Sequence, residues 1–257
     1  WDRQEELATI AARSGIGKSW LLLFVAVAAA RQGLNVGVYS GEMSEDKVGY
    51  RVDTLISHLS NGQIIHVNVN VSGHYKEYLD NLKNTIRGSI RVLTPSKING
   101  PAGVTALRAF IEKDKLDMLC IDQHSLLEDD RNAKNPVERA ANISKDLKNL
   151  QVMKKIPIIS VSQQNRNSVE NGVSTANIAQ SDRIAQDSTI ILFLEQKDGV
   201  LTIHLTKSRD SVNARDLNYA VDLDKGIFTF IPEGLDISDA DSLAQSYEPL
   251  DDVEEPF

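Results

Sequence analysis

Residues 7–30 constrain most tightly how this chain of 257 residues can fold. Leu7–Ala11 is a short apolar run, and Lys18–Gln32 is an apolar segment of helical length. The turn between them lies in "AARSGIGKSW", Ala11 to Trp20. A strand passing through a glycine-bearing turn directly into a helix is the start of a βα unit. This turn follows the spacing G-x-x-x-x-G-K-[ST], with Ala12 in place of the first glycine. In such a loop backbone N–H groups and a helix N-terminus face phosphate oxygens. The expected binding segment is Ala12, Arg13, Ser14, Gly15, Ile16, Gly17, Lys18, Ser19 and Trp20. Lys18 would reach the β- and γ-phosphates of ATP, and the Ser19 hydroxyl would hold Mg²⁺. Gly15 and Gly17 stand where the backbone approaches closely or takes positive φ. A small residue such as Ala12 fits the first position if its φ stays negative.

The rest of the chain repeats this alternation. Further strands are expected at Asn35–Ser40, Ile90–Leu93, Asp117–Ile121, Pro157–Ser162, Thr189–Leu194 and Leu201–Thr206. Helices are expected at Ser44–Leu59, Tyr75–Ile86, Val104–Lys113 and Pro136–Lys154. Strands apolar throughout and separated by helices imply a mostly parallel α/β sheet covered on both faces. After Thr189 the helical patterns stop. Leu217–Val221 and Ile227–Phe230, with turns at Lys197–Gly199 and Asp224–Gly226, suggest an antiparallel extension.

One cysteine, Cys120, leaves no disulfide framework and fits a reducing cytoplasm. The apolar run Leu21–Ala30 is too short to span a bilayer, and no signal peptide is visible. The chain does not start with Met, which points to a fragment of something longer. Net charge is −8, but Glu233–Phe257 holds nine Asp/Glu and no Lys/Arg, so the remainder is near +1. The expected division is a catalytic domain over 1–233 and an acidic, aperiodic tail over 234–257.

Two carboxylates suit phosphate chemistry. In "DMLCIDQ" an apolar run ends in Asp122, where a strand-end carboxylate meets the Mg²⁺ shell. Position 123 is not acidic, so another group must activate water. Glu42 in "VGVYSGEMS" is available just past the second strand, and faces the γ-phosphate if that strand lies beside the first. "IPIISVSQQNR" ends a buried strand in Gln163, a neutral amide able to sense a γ-phosphate. The long polar loop after it, Asn165–Arg183, is of the kind that carries function. The five histidines lack metal-ligand spacing.

Taken in order, "ARSGIGKS", "YSGEMS", "MLCIDQHSLL", "NPVERAANISKDLKNL", "ISVSQQNR", "RIAQDSTIILFL" and "TKSRD" resemble the DnaB-type hexameric replicative helicases in their RecA-like ATPase domain. The likeness covers roughly residues 7 to 210. It implies an ATP hydrolase acting at the subunit interfaces of a hexameric ring and translocating on single-stranded DNA. Glu42 matches the family's catalytic Glu, Asp122 its Mg²⁺ ligand and Gln163 its sensor. Lys207 and Arg209 match the pair that reaches the neighbouring subunit's ATP. Two DNA-binding loops map to Glu128–Asn135, with Arg131 and Lys134, and to Val173–Arg183. In the second loop the usual Asp-Leu-Arg-Glu-Ser-Gly is replaced by "NIAQSD", with Ala179 at the Arg, leaving Gln180 and Arg183 as its polar contacts. That divergence favours a phage-encoded relative.

The ending "EPLDDVEEPF" is similar to the tips of bacterial single-stranded-DNA-binding proteins, so Asp251–Phe257 is a candidate docking peptide for a primase, a loader or another replication protein. Two alternatives stay open: a filament-forming recombinase ATPase, and a non-motor ATP-binding module. "TKSRD" and "QQNR" favour the helicase.

Overall fold

The computed structural model describes residues 6–66, 69–163, 182–208 and 216–232. Among the described residues nine strands form one sheet in the order β3-β2-β4-β5-β1-β6-β7-β8-β9. The parallel part comprises β1 (Leu7–Ala12), β2 (Asn35–Ser40), β3 (Ser89–Leu93), β4 (Met118–Asp122), β5 (Ile158–Gln163) and the first half of β6 (Ile190–Lys197). The antiparallel extension is β6 with β7 (Val200–Ser208), β8 (Asp216–Asp222) and β9 (Ile227–Ile231).

β1, β2 and β4 are buried almost throughout, as expected for strands covered on both faces. The helix after the glycine turn, α1 (Lys18–Arg31), buries Leu22, Leu23, Ala26 and Ala30 in the larger core with Val38, Cys120 and Val161. The opposite face packs α6 (Val104–Asp114) and α7 (Pro136–Lys154) through Leu107, Phe110, Leu147 and Leu150 onto Tyr39, Leu119 and Ile158. α2 (Glu45–Ser57) begins at Ser44, whose side chain accepts from the Lys47 N–H.

Five elements differ from expectation. β6 runs on to Lys197 because the hairpin with β7 continues to a two-residue turn, Asp198–Gly199, with φ of 49° and 77°. Its polar end, Glu195–Lys197, is invisible to a search for apolar runs. α4 (Val69–Thr85) begins before Tyr75, because its first turn holds poor helix formers. The short helices α3 (Asn61–Ile65), α5 (Pro95–Ile98) and α8 (Asp182–Asp187) have no readable period.

The strand order corrects one premise. β2 does not lie beside β1; β5 and β4 stand between them. Parallel crossovers have carried the second strand outward.

Candidate nucleotide cleft

Glycine at two positions and alanine at a third shape the loop after β1. Gly15 and Gly17 have φ of 83° and 84°, values costly for residues with a Cβ. Ala12 is the last residue of β1, fully buried, and is not among the residues with positive φ. The first motif position is a strand end, where alanine fits without strain. Gly17 also forms the N-cap of α1 and supplies no side-chain cap, leaving the first turn's N–H groups to the loop cavity.

Register assembles the remaining groups. Ala12 is paired with Gln163, so the amide ending β5 stands beside the loop. Ser40 is paired with Asp122, and the Gly41 N–H donates to the Asp122 carbonyl at 2.6 Å. A Cβ on Gly41 would lie 2.8 Å from the Leu126 side chain, so this close crossing needs glycine. Glu42 follows, and its Oε1 accepts from Gln123 Nε2 at 2.9 Å. Glu42 therefore reaches the cleft through the β2–β4 pairing rather than by adjacency to β1. Ser14, Lys18, Ser19, Glu42, Asp122 and Gln163 all line one cleft of about 260 Å³.

The cleft's electrostatics follow from burial. Asp122 is 4 % exposed. Desolvation pushes its carboxyl above the ordinary value, and Glu42's charge adds to this. A hydrogen bond with Ser19 and the nearby Arg51 and Lys18 pull the other way. Burial lowers the Lys18 ammonium, while Asp122 and Glu42 raise it. The Lys18 Nζ donates to the carbonyls of Ala12 and Arg13 at 3.1 and 2.6 Å. The ammonium is thus aimed back across the loop mouth. The hydroxyl–carboxylate pair Ser19–Asp122 is an oxygen donor set suited to Mg²⁺. Together they fit a nucleoside triphosphate with its cation.

Three contributors escape a reading of the sequence. Arg51 of α2 lines the cleft, its Cζ 5.0 Å from the Trp20 ring centroid. The available signal is a charge set among Val48, Val52 and Leu55 on the apolar stripe of α2. Gln123 reads in the sequence only as a residue that is not acidic. Leu223, in the β8–β9 turn, closes the cleft over Gly17, where an added Cβ would come within 3.3 Å of it. Trp20, at the edge of the core, also faces the cleft.

The expected DNA-facing and trans-acting residues that are described lie elsewhere. The Arg131 guanidinium binds Asn142 Oδ1 at 3.3 Å and forms an ion pair with Asp146, both on α7. Buried Asp129 accepts from the N–H groups of Arg131 and Ala133 and from Asn142 Nδ2. Asp130 accepts from the N–H and hydroxyl of Thr105 at the start of α6. The loop 128–135 is thus fastened to two helices, and Lys134 is exposed on it. Arg183 Nε donates to Asp187 at 3.0 Å. Lys207 Nζ donates to the carbonyls of Ala185 and Gln186 in α8, at 2.6 and 3.2 Å. Gln180, Arg209 and Asp251–Phe257 lie outside the described residues.

Among the described residues no helix is long and apolar enough to cross a membrane.

A family model described as DnaB-like helicase C terminal domain matches residues 3–219. A probable plasmid replicative DNA helicase of Chlamydia psittaci is 28% identical over 194 residues, covering 74% of this chain and 42% of that protein. The replicative DNA helicase DnaB of Buchnera aphidicola is 25% identical over 202 residues, covering 75% and 43%. The chain thus spans less than half the length of these curated relatives. Among solved structures, one titled as an ATPase domain matches with a TM-score of 0.80 at 19% identity, covering 90% of this chain and 86% of that one. A DnaB-like replicative helicase, whose title adds its interactions with primase, matches with a TM-score of 0.79 at 19% identity, covering 89% and 59%. The fold is RecA-like, as the sequence led us to expect.

Proposed function

The chain belongs to the DnaB-like helicase C-terminal domain family, and from that premise we propose that it is the ATP-hydrolysing motor of a replicative DNA helicase. Residues 1–233 form the motor, and 234–257 an acidic appendage. The observation that carries the reading is the convergence of Lys18, Ser19, Asp122, Glu42 and Gln163 on one cleft from four strand ends.

In this reading the loop 12–19 holds the phosphates, and Lys18 leaves its two carbonyl acceptors to meet them. Ser19 and Asp122 hold Mg²⁺, which neutralises phosphate charge when bound. Glu42, oriented by Gln123, accepts a proton from the attacking water. Gln163 senses the γ-phosphate beside Ala12. Arg51, stacked on Trp20, adds a cation on the same side of the cleft. Lys207, near the end of β7, and Arg209 serve a neighbouring subunit of a hexameric ring by stabilising transition-state charge. Lys134, with Arg131 holding its loop in place, and Gln180 and Arg183 of the second loop face single-stranded DNA. A primase or loader is the partner class that the tail Asp251–Phe257 suits, and the bacterial or phage-infected cytoplasm the compartment.

ATP turnover across a range of protein concentrations, with and without single-stranded DNA, tests the reading. Turnover that climbs steeply with concentration and is stimulated by DNA is the expected result. Turnover indifferent to both would replace the motor with a non-motor ATP-binding module. Filaments rather than rings by electron microscopy would replace it with a recombinase.

A further inference from the structure

Trp20 is the third residue of α1, in the first turn after the phosphate loop. Side chains on a helix lean toward its N-terminus, so position 20 directs its indole to the loop end, and the ring lines the cleft. One turn on, Phe24 stacks on Phe228 of β9 with ring centroids 4.6 Å apart, which fixes the rotation of α1. Arg51 meets the indole from α2. Val48, Arg51 and Leu55 are spaced three and four apart and share one helix face, and Val48 and Leu55 are buried in the core. The charge therefore sits on an apolar stripe. Its Cζ lies 5.0 Å from the centroid of the Trp20 ring. Among the described residues the guanidinium makes no hydrogen bond and no ion pair. The Asp122 charge acts on it from beyond ion-pair distance. Its N–H donors are thus unspent at the wall of the cleft.

Packing alone does not account for this pair. Leucine at both positions would close the seam between α1 and α2 without desolvating a charge, and burial already pulls the Arg51 guanidinium below its ordinary pKa. A carboxylate beside Arg51 would hold it but would take its donors and cancel its charge. An aromatic face attracts the cation through its π electrons and takes no N–H. The ring therefore holds the guanidinium while leaving its fork open to phosphate oxygens, which it matches in bidentate geometry.

We infer that Trp20 is a positioning residue whose ring face holds the Arg51 guanidinium at the cleft wall and yields it to the phosphates of a bound nucleotide, so that binding breaks the Trp20–Arg51 contact. The inference rests on the nucleotide reading above.

Two measurements on the whole chain test it. In steady-state ATP turnover, Trp20→Leu is expected to raise KM about fivefold, the factor for one cation–π contact, with kcat within about twofold of wild type. Trp20→Phe, which keeps an aromatic face, restores most of the loss. Arg51→Ala raises KM about tenfold or more, and adding Trp20→Leu to it costs nothing further, because Trp20 acts through Arg51. Losses that add in the double variant would make Trp20 a packing residue and overturn the inference. The second measurement is indole fluorescence in a Trp1→Phe background, where Trp20 is the one indole left. Saturating Mg·ADP or a non-hydrolysable ATP analogue is expected to shift Trp20 emission, and Arg51→Ala to abolish the shift. A shift that persists without Arg51, or no shift in the parent protein despite binding, overturns the handover. Calorimetry with Mg·ADP reads the premise separately: absence of binding to wild type overturns the nucleotide reading itself, whereas binding with additive variants overturns only the role of Trp20.

Discussion

Gln123 Nε2 donates to Glu42 Oε1 at 2.9 Å, joining two residues just past the ends of neighbouring strands and 81 residues apart in sequence. The bond turns an exposed carboxylate toward the cleft and gives it one orientation. Glu42→Gln should therefore lower ATP turnover by about 100-fold or more while nucleotide affinity holds. Gln123→Ala should lower kcat by about tenfold, leaving KM nearly unchanged, because it loosens the base without removing it. Steady-state kinetics on both variants checks this, and equal losses in binding and turnover would assign Glu42 to binding instead.

In the proposed reading Asp122 exchanges stability for function. Its native carboxyl holds a proton to higher pH than an exposed one, chiefly through burial. The sign follows: this group favours the folded state at pH below the ordinary carboxylate value, and the benefit is lost as pH rises through the raised native value. At neutral pH the ionised carboxylate is a net cost in the nucleotide-free protein. Asp122→Asn should raise its melting temperature at pH 7 and lower Mg²⁺-dependent turnover by about 100-fold. A melting temperature that falls would show that the Ser19 contact outweighs the burial cost.

His124 sits just beyond the cleft, 3 % exposed, with its Nε2 lacking a hydrogen-bond partner. Burial lowers its pKa from 6.5 to about 4. The unfolded chain takes up a proton below pH 6.5 and the folded chain does not, so stability falls as pH drops through that window. Between pH 7 and pH 5 this group alone should remove about 2 kcal/mol. Urea unfolding at the two pH values measures the loss, and His124→Leu should shrink it. An equal loss in the variant would move the origin to the carboxylates.

Arg131 and Lys134 share a loop but not a setting. Arg131 is tied to Asn142 and Asp146 of α7, whereas Lys134 is exposed. Lys134→Gln should weaken single-stranded DNA binding and reduce the salt dependence by about one counterion. Arg131→Gln should cost about 1 kcal/mol of stability or less, since the pair is half exposed, and keep the salt slope. Binding titrations at several salt concentrations separate them; a shallower slope in Arg131→Gln would make that residue a phosphate contact.

The phosphate loop was legible because its chemistry is local: one strand, two glycines with positive φ and one helix lie within 25 consecutive residues, Leu7–Arg31. Asp122 and Gln163 were legible for a related reason. Each ends an apolar run, and parallel strands gather their carboxyl ends on one edge. Arg51 and Leu223 carried no such mark, since each enters the cleft from an element defined by its packing. α8 was missed because six residues hold too few turns to show a period.

The sequence by itself determined where the strands and main helices run, because backbone period and side-chain polarity act over neighbours. Only the tertiary structure decided that β5 and β4 separate β1 from β2, that Gln123 rather than β1 aims Glu42, and that Thr9 meets Ser188. Those facts depend on which strands pair. Pairing is selected by the summed burial of both sheet faces, a property of the whole chain that no window of sequence contains.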